Sequence, residues 1–127
     1  MCGIVAYVGS KQAGPILLEG LRRLEYRGYD SAGLAILDPD GCLRIVKEAG
    51  KLRELERLLA VEMPLGTCGV AHTRWATHGA PNATNAHPHW SSSKDIALVH
   101  NGIIENADLI RRRLSTEGYE FTTETDT

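Results

Sequence analysis

Apolar positions recur along this chain with two spacings, one typical of strands and one typical of helices. Short apolar runs that are β-branched or alternate with polar residues predict strands at residues 3–8, 31–37, 42–48, 69–73 and 95–101. Leucines and isoleucine at helical spacing predict helices at residues 12–27, 51–59 and 106–117. Hairpins mixed with helices in this order predict an α+β fold with a largely antiparallel sheet.

Glycine and proline mark the breaks between these elements. Gly28 is expected to end the first helix, and the run Asp38-Pro39-Asp40-Gly41 predicts a tight turn between two strands. Residues 74–94 are polar and show no sustained period. A loop of this length is usually functional, so we expect it to carry part of a site.

Composition excludes several broad classes of protein. The chain has 127 residues, of which 43% are hydrophobic and 24% charged, and its net charge is −2. These values fit one ordinary globular domain, and they argue against disorder and against a broad nucleic-acid-binding surface. No apolar run is long enough for a membrane helix, and the first residues, MCGIVAYVG, do not resemble a secretory signal. We therefore expect a cytoplasmic, reducing setting.

The chain has three cysteines, Cys2, Cys42 and Cys68, and no C-x-x-C pair. A disulfide scaffold is excluded and a thiolate zinc site is disfavoured. If Met1 is removed, Cys2 carries a thiol and a free α-amine, whose ordinary pKa values of about 8.5 and about 8 suit a nucleophile with its own base. The alternative is that Cys2 is simply a small residue at the start of a strand.

The pair Asn101-Gly102 follows the last predicted strand. Asn-Gly is a common hairpin turn, but a side-chain amide and a backbone N–H are also the donors that an oxyanion hole needs. A predicted helix, rather than a partner strand, comes next, which weakens the hairpin interpretation.

Residues 74–79, RWATHG, form the densest polar cluster after a strand. The arginine fork of Arg74 suits a carboxylate, and Thr77 and His78 add further donors. Asp126 could pair with an ammonium group. This set fits an α-amino-acid substrate, although a solvated loop would have a similar composition.

The five histidines also have to be considered as metal ligands. His87 and His89 lie two apart, on one face of an extended segment. No H-E-x-x-H motif and no cysteine pair accompany them, so we expect no metal site. A metal-binding histidine module stays open as an alternative that metal analysis of the purified protein would decide.

Five strings, in this order along the chain, resemble the glutaminase domain of the glutamine–fructose-6-phosphate aminotransferases (isomerising), which are class II glutamine amidotransferases. They are residues 1–5 (MCGIV), 26–33 (YRGYDSAG), 72–79 (HTRWATHG), 85–88 (NAHP) and 100–106 (HNGIIEN). The resemblance runs from Cys2 to Asp126. It implies an αββα four-layer sandwich of the N-terminal nucleophile hydrolase type, incomplete in this chain, in which residues 1–127 form the N-terminal part of the domain.

The resemblance also implies roles for individual residues. Cys2 would attack the side-chain amide of L-glutamine, and Asn101 with the Gly102 N–H would form the oxyanion hole. The implied substrate-binding residues are Arg74 for the carboxylate, Asp126 for the ammonium, and Trp75, Thr77, His78 and His87 around them. Neither a metal nor an organic cofactor is implied.

The parent enzymes of this family are homo-oligomers that pass ammonia to fructose 6-phosphate bound in a separate isomerase domain, and this chain contains no such domain. We expect this chain alone to be at most a glutaminase. Two alternatives stay open: a related amidotransferase with another acceptor, and a glutamine-binding module without turnover.

Overall fold

The computed structural model describes residues 1–127 and contains six strands and three α-helices. They follow one another as β1 (Gly3–Val8), α1 (Ala13–Leu24), β2 (Ser31–Leu37), β3 (Leu43–Ala49), α2 (Leu52–Val61), β4 (Cys68–Arg74), β5 (His89–Trp90), β6 (Ala97–Leu98) and α3 (Ala107–Thr116). A short 3₁₀-helix, Glu25–Arg27, continues α1. The α+β class predicted from the sequence is confirmed.

Strands β1 to β4 form one antiparallel sheet in the order β1-β4-β2-β3. Its registers pair Gly3 with Thr73 and Leu34 with both Ala71 and Val46. The central strand β2 is buried along nearly its whole length. This position explains why its sequence, SAGLAIL, is small and apolar rather than cleanly alternating.

Helices α1 and α2 cover one face of this sheet. The leucines predicted to form their apolar stripes are buried, with the exception of partly buried Leu24. Helix α1 packs mainly against β1 and β4, and helix α2 packs against β3 and β2. The core cluster consists of Ala13, Leu17, Leu18, Leu21, Tyr29, Ala32, Leu34, Ile36, Leu52, Leu55, Leu59 and Ala71. Burial of this apolar surface is the main source of stability for the fold.

The predicted breaks are confirmed. Gly28 ends the 3₁₀-helix with a φ of 75°, a conformation that favours glycine. The Asp38–Gly41 turn is closed by the Gly41 N–H, which donates to the Asp38 carbonyl at 3.0 Å. The carboxylate of Asp38 accepts from the N–H groups of Asp40 and Cys42. The turn therefore joins β2 to β3 as a hairpin.

The opposite face of the sheet is only partly covered. The loop segment 82–90 lies over Gly33 of β2. Ile4 on the edge strand β1 is exposed, as are Val8 and Leu37 at the other end of the sheet, Val8 at 80%. Of the four layers implied by the resemblance, this chain has the α1–α2 layer and one four-stranded sheet. No helix is long and apolar enough to cross a membrane.

The C-terminal part departs from the sequence predictions. The strand predicted at residues 95–101 is limited to Ala97–Leu98, which pairs only with His89–Trp90 inside the predicted loop. Helix α3 forms almost where predicted, but its apolar face does not pack into the core. Leu109 on this face is 69% exposed and Ile110 is 40% exposed. These apolar side chains have no covering layer within this chain.

Candidate active site

Eight of the nine residues predicted for the site line one cavity of about 180 Å³. They are Cys2, Arg74, Trp75, Thr77, His87, Asn101, Gly102 and Asp126. The ninth, His78, lies in a neighbouring cavity that also includes Asp126. The cavity is smaller than the several hundred Å³ typical of drug-sized ligands, so it suits a small molecule.

Cys2 lies immediately before β1, half-buried at the mouth of this cavity. Its Sγ accepts a hydrogen bond from the backbone N–H of Trp75 at 3.2 Å. The terminal ammonium, here on Met1, donates to the carbonyls of Arg27 at 2.9 Å and Gly28 at 2.7 Å. The YRG string is therefore placed against the chain terminus, and a donor is already aimed at the sulfur.

Arg74 is the last residue of β4 and is 4% exposed. Its guanidinium donates to the carbonyl of His78 and, at 3.4 Å, to that of Ala80. Two of its five N–H donors are thus used to fold the loop back on itself. The remaining donors leave capacity for an anionic group in the cavity.

The loop that follows Arg74 is fastened by Asp30. The Asp30 carboxylate accepts from the Ala76 N–H at 2.6 Å, and the Asp30 N–H donates to the Arg74 carbonyl at 2.8 Å. Trp75, 54% exposed, projects at the entrance, and Thr77 Oγ1 lies 3.3 Å from His78 Nδ1. Asp30 was not singled out in the sequence, since a single acidic residue between two motif glycines carries no distinctive signal.

Asn101 and Gly102 follow β6 on the far side of the cavity. The Asn101 Oδ1 lies 2.7 Å from His72 Nε2. Gly102 has a φ of 152°, and a Cβ there would lie 2.8 Å from the His100 ring. The positive φ favours glycine here, and a larger residue would also have to displace the His100 ring. No hairpin partner follows, so the pair is not a β-hairpin turn.

Asp126 connects the C-terminal segment to the same cavity wall. Its Oδ2 accepts from the Ile104 N–H at 2.7 Å. Nearby, Thr125 Oγ1 lies 3.1 Å from His89 Nε2, and Arg111 donates to the carbonyls of Thr123 and Thr125. These contacts hold the last residues of the chain beside the residues that follow Asn101.

A stack of three buried histidines lies beneath the cavity. The ring centroids of His72 and His87 are 4.3 Å apart, as are those of His87 and His89. Burial lowers the pKa of His72 and of His89 to about 4 and that of His87 to about 2, with neighbouring positive groups adding to the effect. All three are neutral near pH 7, and no three His, Cys, Asp or Glu side chains are arranged to hold a metal ion.

Lys47 fastens the loop segment 82–90 to the sheet. Its Nζ donates to the carbonyls of Thr84 at 3.0 Å, Ala86 at 2.7 Å and Pro88 at 3.2 Å. Burial, followed by the charge of Arg74, lowers its pKa to about 8. On the sequence Lys47 looks like an ordinary polar position of an edge strand, so its anchoring role was missed.

Asn85 provides a second fastening. Its Nδ2 donates to the Ala80 carbonyl at 3.0 Å and to Glu124 at 2.8 Å, and its Oδ1 accepts from the Glu124 N–H. Asn85 belongs to the NAHP string, but its partner could not be read from sequence spacing. It joins the loop to the C-terminal segment that carries Asp126.

Comparisons with known proteins agree with this geometry. The family described as "Glutamine amidotransferase domain" matches residues 62–127. Relatives named glutamine–fructose-6-phosphate aminotransferase [isomerizing] are 54% identical in Bacteroides thetaiotaomicron and 60% in Caldanaerobacter subterraneus, over the whole of this chain. The chain spans 21% of the length of each, about a fifth.

Solved structures give the same result at the level of the fold. Glutamine phosphoribosylpyrophosphate amidotransferase from B. subtilis superposes with a TM-score of 0.81 at 28% identity, covering 100% of this chain and 27% of that one. A structure described as the allosteric regulatory enzyme of purine biosynthesis superposes with a TM-score of 0.80 at 28% identity, covering 97% and 27%.

Proposed function

Because the chain belongs to the glutamine amidotransferase domain family, we propose that it forms the part of such an enzyme that hydrolyses glutamine to glutamate and ammonia. The observation that carries this proposal is the single small cavity lined by the Cys2 thiol, the Asn101-Gly102 pair, Arg74 and Asp126. Its walls supply a thiol, N–H groups that suit an oxyanion, and one positive and one negative side chain that match the two charges of an α-amino acid.

Removal of Met1 precedes the first turnover and gives Cys2 a free α-amine. The amine takes the thiol proton, and the sulfur attacks the side-chain amide carbon of glutamine. The Trp75 N–H, 3.2 Å from Sγ, supports negative charge on the sulfur before attack. The Asn101 amide and the Gly102 N–H receive the oxygen as it becomes negative.

The second half of the reaction returns the proton. The ammonium of Cys2 protonates the leaving nitrogen, ammonia departs, and a thioester of Cys2 remains. Water then cleaves the thioester, which releases glutamate and restores the thiol. Arg74 and Asp126 hold the α-carboxylate and α-ammonium throughout, while Trp75, Thr77, His78 and His87 enclose the substrate.

For the whole protein, we propose that the ammonia is transferred to fructose 6-phosphate. The relatives that bear this name are 54–60% identical to the chain, whereas the purine-related amidotransferase structure is 28% identical. Residues 1–127 would then be the N-terminal part of the amidotransferase domain of a homo-oligomeric cytoplasmic enzyme. The three free cysteines fit a reducing compartment.

The direct test is release of glutamate from L-glutamine by the purified protein. We expect Cys2→Ala to lose all measurable release, because no other thiol lies in the cavity. Cys68→Ala is the matched control, since Cys68 is exposed at the start of β4, away from the cavity, and should retain activity. Unchanged glutamate release from Cys2→Ala would contradict the mechanism.

A further inference from the structure

We propose that His72 is a positioning residue that holds the Asn101 side-chain amide with its N–H₂ group toward the cavity. The inference deepens the proposed function, on which it rests, by naming what orients the oxyanion donor. It starts from the 2.7 Å contact between His72 Nε2 and Asn101 Oδ1. No group of the protein accepts a hydrogen bond from Asn101 Nδ2, which leaves that donor for a ligand.

The backbone on both sides of His72 is fixed by the sheet. His72 is in β4, where it pairs with Ile4 of β1 and with Gly33 of β2. Its side chain is completely buried. A residue between two hydrogen-bonded neighbours in the middle of a sheet is a rigid support for a functional group.

Packing against His87 also restricts the His72 ring. It stacks on His87 with centroids 4.3 Å apart and an interplanar angle of 22°. The loop that carries His87 approaches closely because Gly33 has no side chain: a Cβ there would collide with the His87 carbonyl oxygen. The imidazole therefore has little freedom to turn away from Asn101.

The contact sets the proton position on the ring. An amide oxygen only accepts hydrogen bonds, so Nε2 must carry the proton. The Nδ1 atom is buried without a hydrogen-bond partner. Burial lowers the pKa of His72 to about 4, and the nearby charge of Arg74 acts in the same direction, although hydrogen bonds with Asn101 and with the His100 backbone act in the opposite direction. His72 is thus a neutral, fixed donor.

The consequence for catalysis is specific. An Asn101 amide turned by half a rotation would present its oxygen, rather than its N–H₂, to the developing oxyanion. Loss of one oxyanion donor typically lowers kcat by about 10²–10³-fold. Because His72 acts through Asn101, its removal should lower kcat by about 10–100-fold and leave the KM for glutamine within about twofold.

Two substitutions distinguish the effect of the Nε2–H donor from the effect of the ring's volume. His72→Phe keeps a flat ring against His87 but has no donor. His72→Gln places an N–H₂ close to where Nε2 lies, so it should recover most of the kcat lost in His72→Phe. A purely structural role for the ring predicts the opposite order.

A double-mutant cycle then shows whether His72 works through Asn101. In an Asn101→Ala background, His72→Phe should cost at most about twofold in kcat, because its partner is already gone. His89→Phe is the matched control: it removes another buried ring of the same stack, one that contacts Thr125 rather than Asn101. Its effect should be the same with and without Asn101.

The decisive experiment needs no activity. Two-bond ¹H–¹⁵N correlation spectra of the ¹⁵N-labelled protein report the tautomer of each histidine, and we expect the neutral Nε2–H form for His72 from pH 5 to pH 7. An Nδ1–H tautomer would overturn the proposal, since Nε2 would then accept from an amide turned the other way. Protein that shows the expected tautomer but releases no glutamate would contradict the proposed function alone. Full additivity of His72→Phe with Asn101→Ala would overturn the positioning role in an active protein.

Discussion

The two regions of this molecule, residues 1–74 and 75–127, are held together by different interactions. All members of the core cluster belong to the first region, which has a four-stranded sheet and two packed helices. The second region has a two-stranded ribbon and a helix without a buried residue. Its buried side chains are mostly polar, among them Asn85, His87, His89 and Thr125.

The candidate site lies where the two regions meet. The first region supplies Cys2 and Arg74, and the second supplies Asn101, Gly102 and Asp126. Cys2 stands directly before β1, in the sheet that hydrophobic burial stabilises. Hydrogen bonds formed by Lys47, Asn85 and Asp126 position the parts that would bind and polarise the substrate. The difference suggests that stability and activity can be changed separately.

The largest difference in stability should come from the same Leu→Ala substitution made once in each region. Leu34→Ala, at a fully buried position of β2, should lower the free energy of unfolding by about 2–5 kcal/mol. Leu109→Ala, on the exposed face of α3, should change it by less than about 0.5 kcal/mol. Denaturant unfolding of both variants measures this difference, and equal losses would mean that α3 is covered in solution.

Asn101→Ala should lower activity and leave stability nearly unchanged. Asn101 is exposed and lies outside the core, so its loss should hardly change the unfolding midpoint. Loss of an oxyanion donor should reduce kcat for glutamine hydrolysis by about 10²–10³-fold, or about 2.7–4 kcal/mol. Steady-state kinetics beside thermal unfolding tests this. A variant that unfolds readily yet keeps its kcat would reverse the roles assigned to the two regions.

Arg74→Ala should act mainly on substrate binding. Hydrogen bonds to charged groups contribute about 1.5–3 kcal/mol, so the KM for glutamine should rise by about 10–150-fold. Arg44→Ala is the control, because the exposed side chain of Arg44 pairs with Asp38 at the β2–β3 turn, outside the cavity. An unaltered KM in Arg74→Ala would show that the carboxylate is held elsewhere.

The histidine stack between the regions predicts a dependence of stability on pH. The pKa values of His72 and His89, about 4, lie below the ordinary 6.5, so the unfolded chain binds more protons between these limits. Stability should therefore fall as pH decreases from 6.5 toward 4, by about 1.4 kcal/mol per pH unit for each histidine. His89→Phe should remove one such contribution from the pH profile of the unfolding free energy. An unchanged slope would mean that His89 already titrates normally.

The sequence predicted the first region closely because its signals are local. The β2 strand, the Asp38–Gly41 turn and the Gly28 stop each follow from residues within a few positions, and all are confirmed. In α1 and α2 the apolar stripe also has a sheet to cover. Periodicity and packing therefore agree.

The second region was predicted less well because its structure depends on distant contacts. Residues 95–101 alternate like a strand, yet only Ala97 and Leu98 find a partner. The family strings predicted most of the residues that line the cavity. They did not reveal what holds these residues in place, since Lys47 and His72 act through backbone carbonyls and an amide more than 25 positions away.

The central claim, that residues of both regions form one glutamine site, is tested most directly by intact-mass analysis after incubation with an electrophilic glutamine analogue. We predict a chain that lacks Met1 and carries one adduct, mapped to Cys2, with excess L-glutamine protecting against it. Cys42 and Cys68 are exposed thiols and serve as internal controls for unspecific alkylation. Adducts spread over all three cysteines without protection by glutamine, or a processed chain with no adduct at Cys2, would contradict the account.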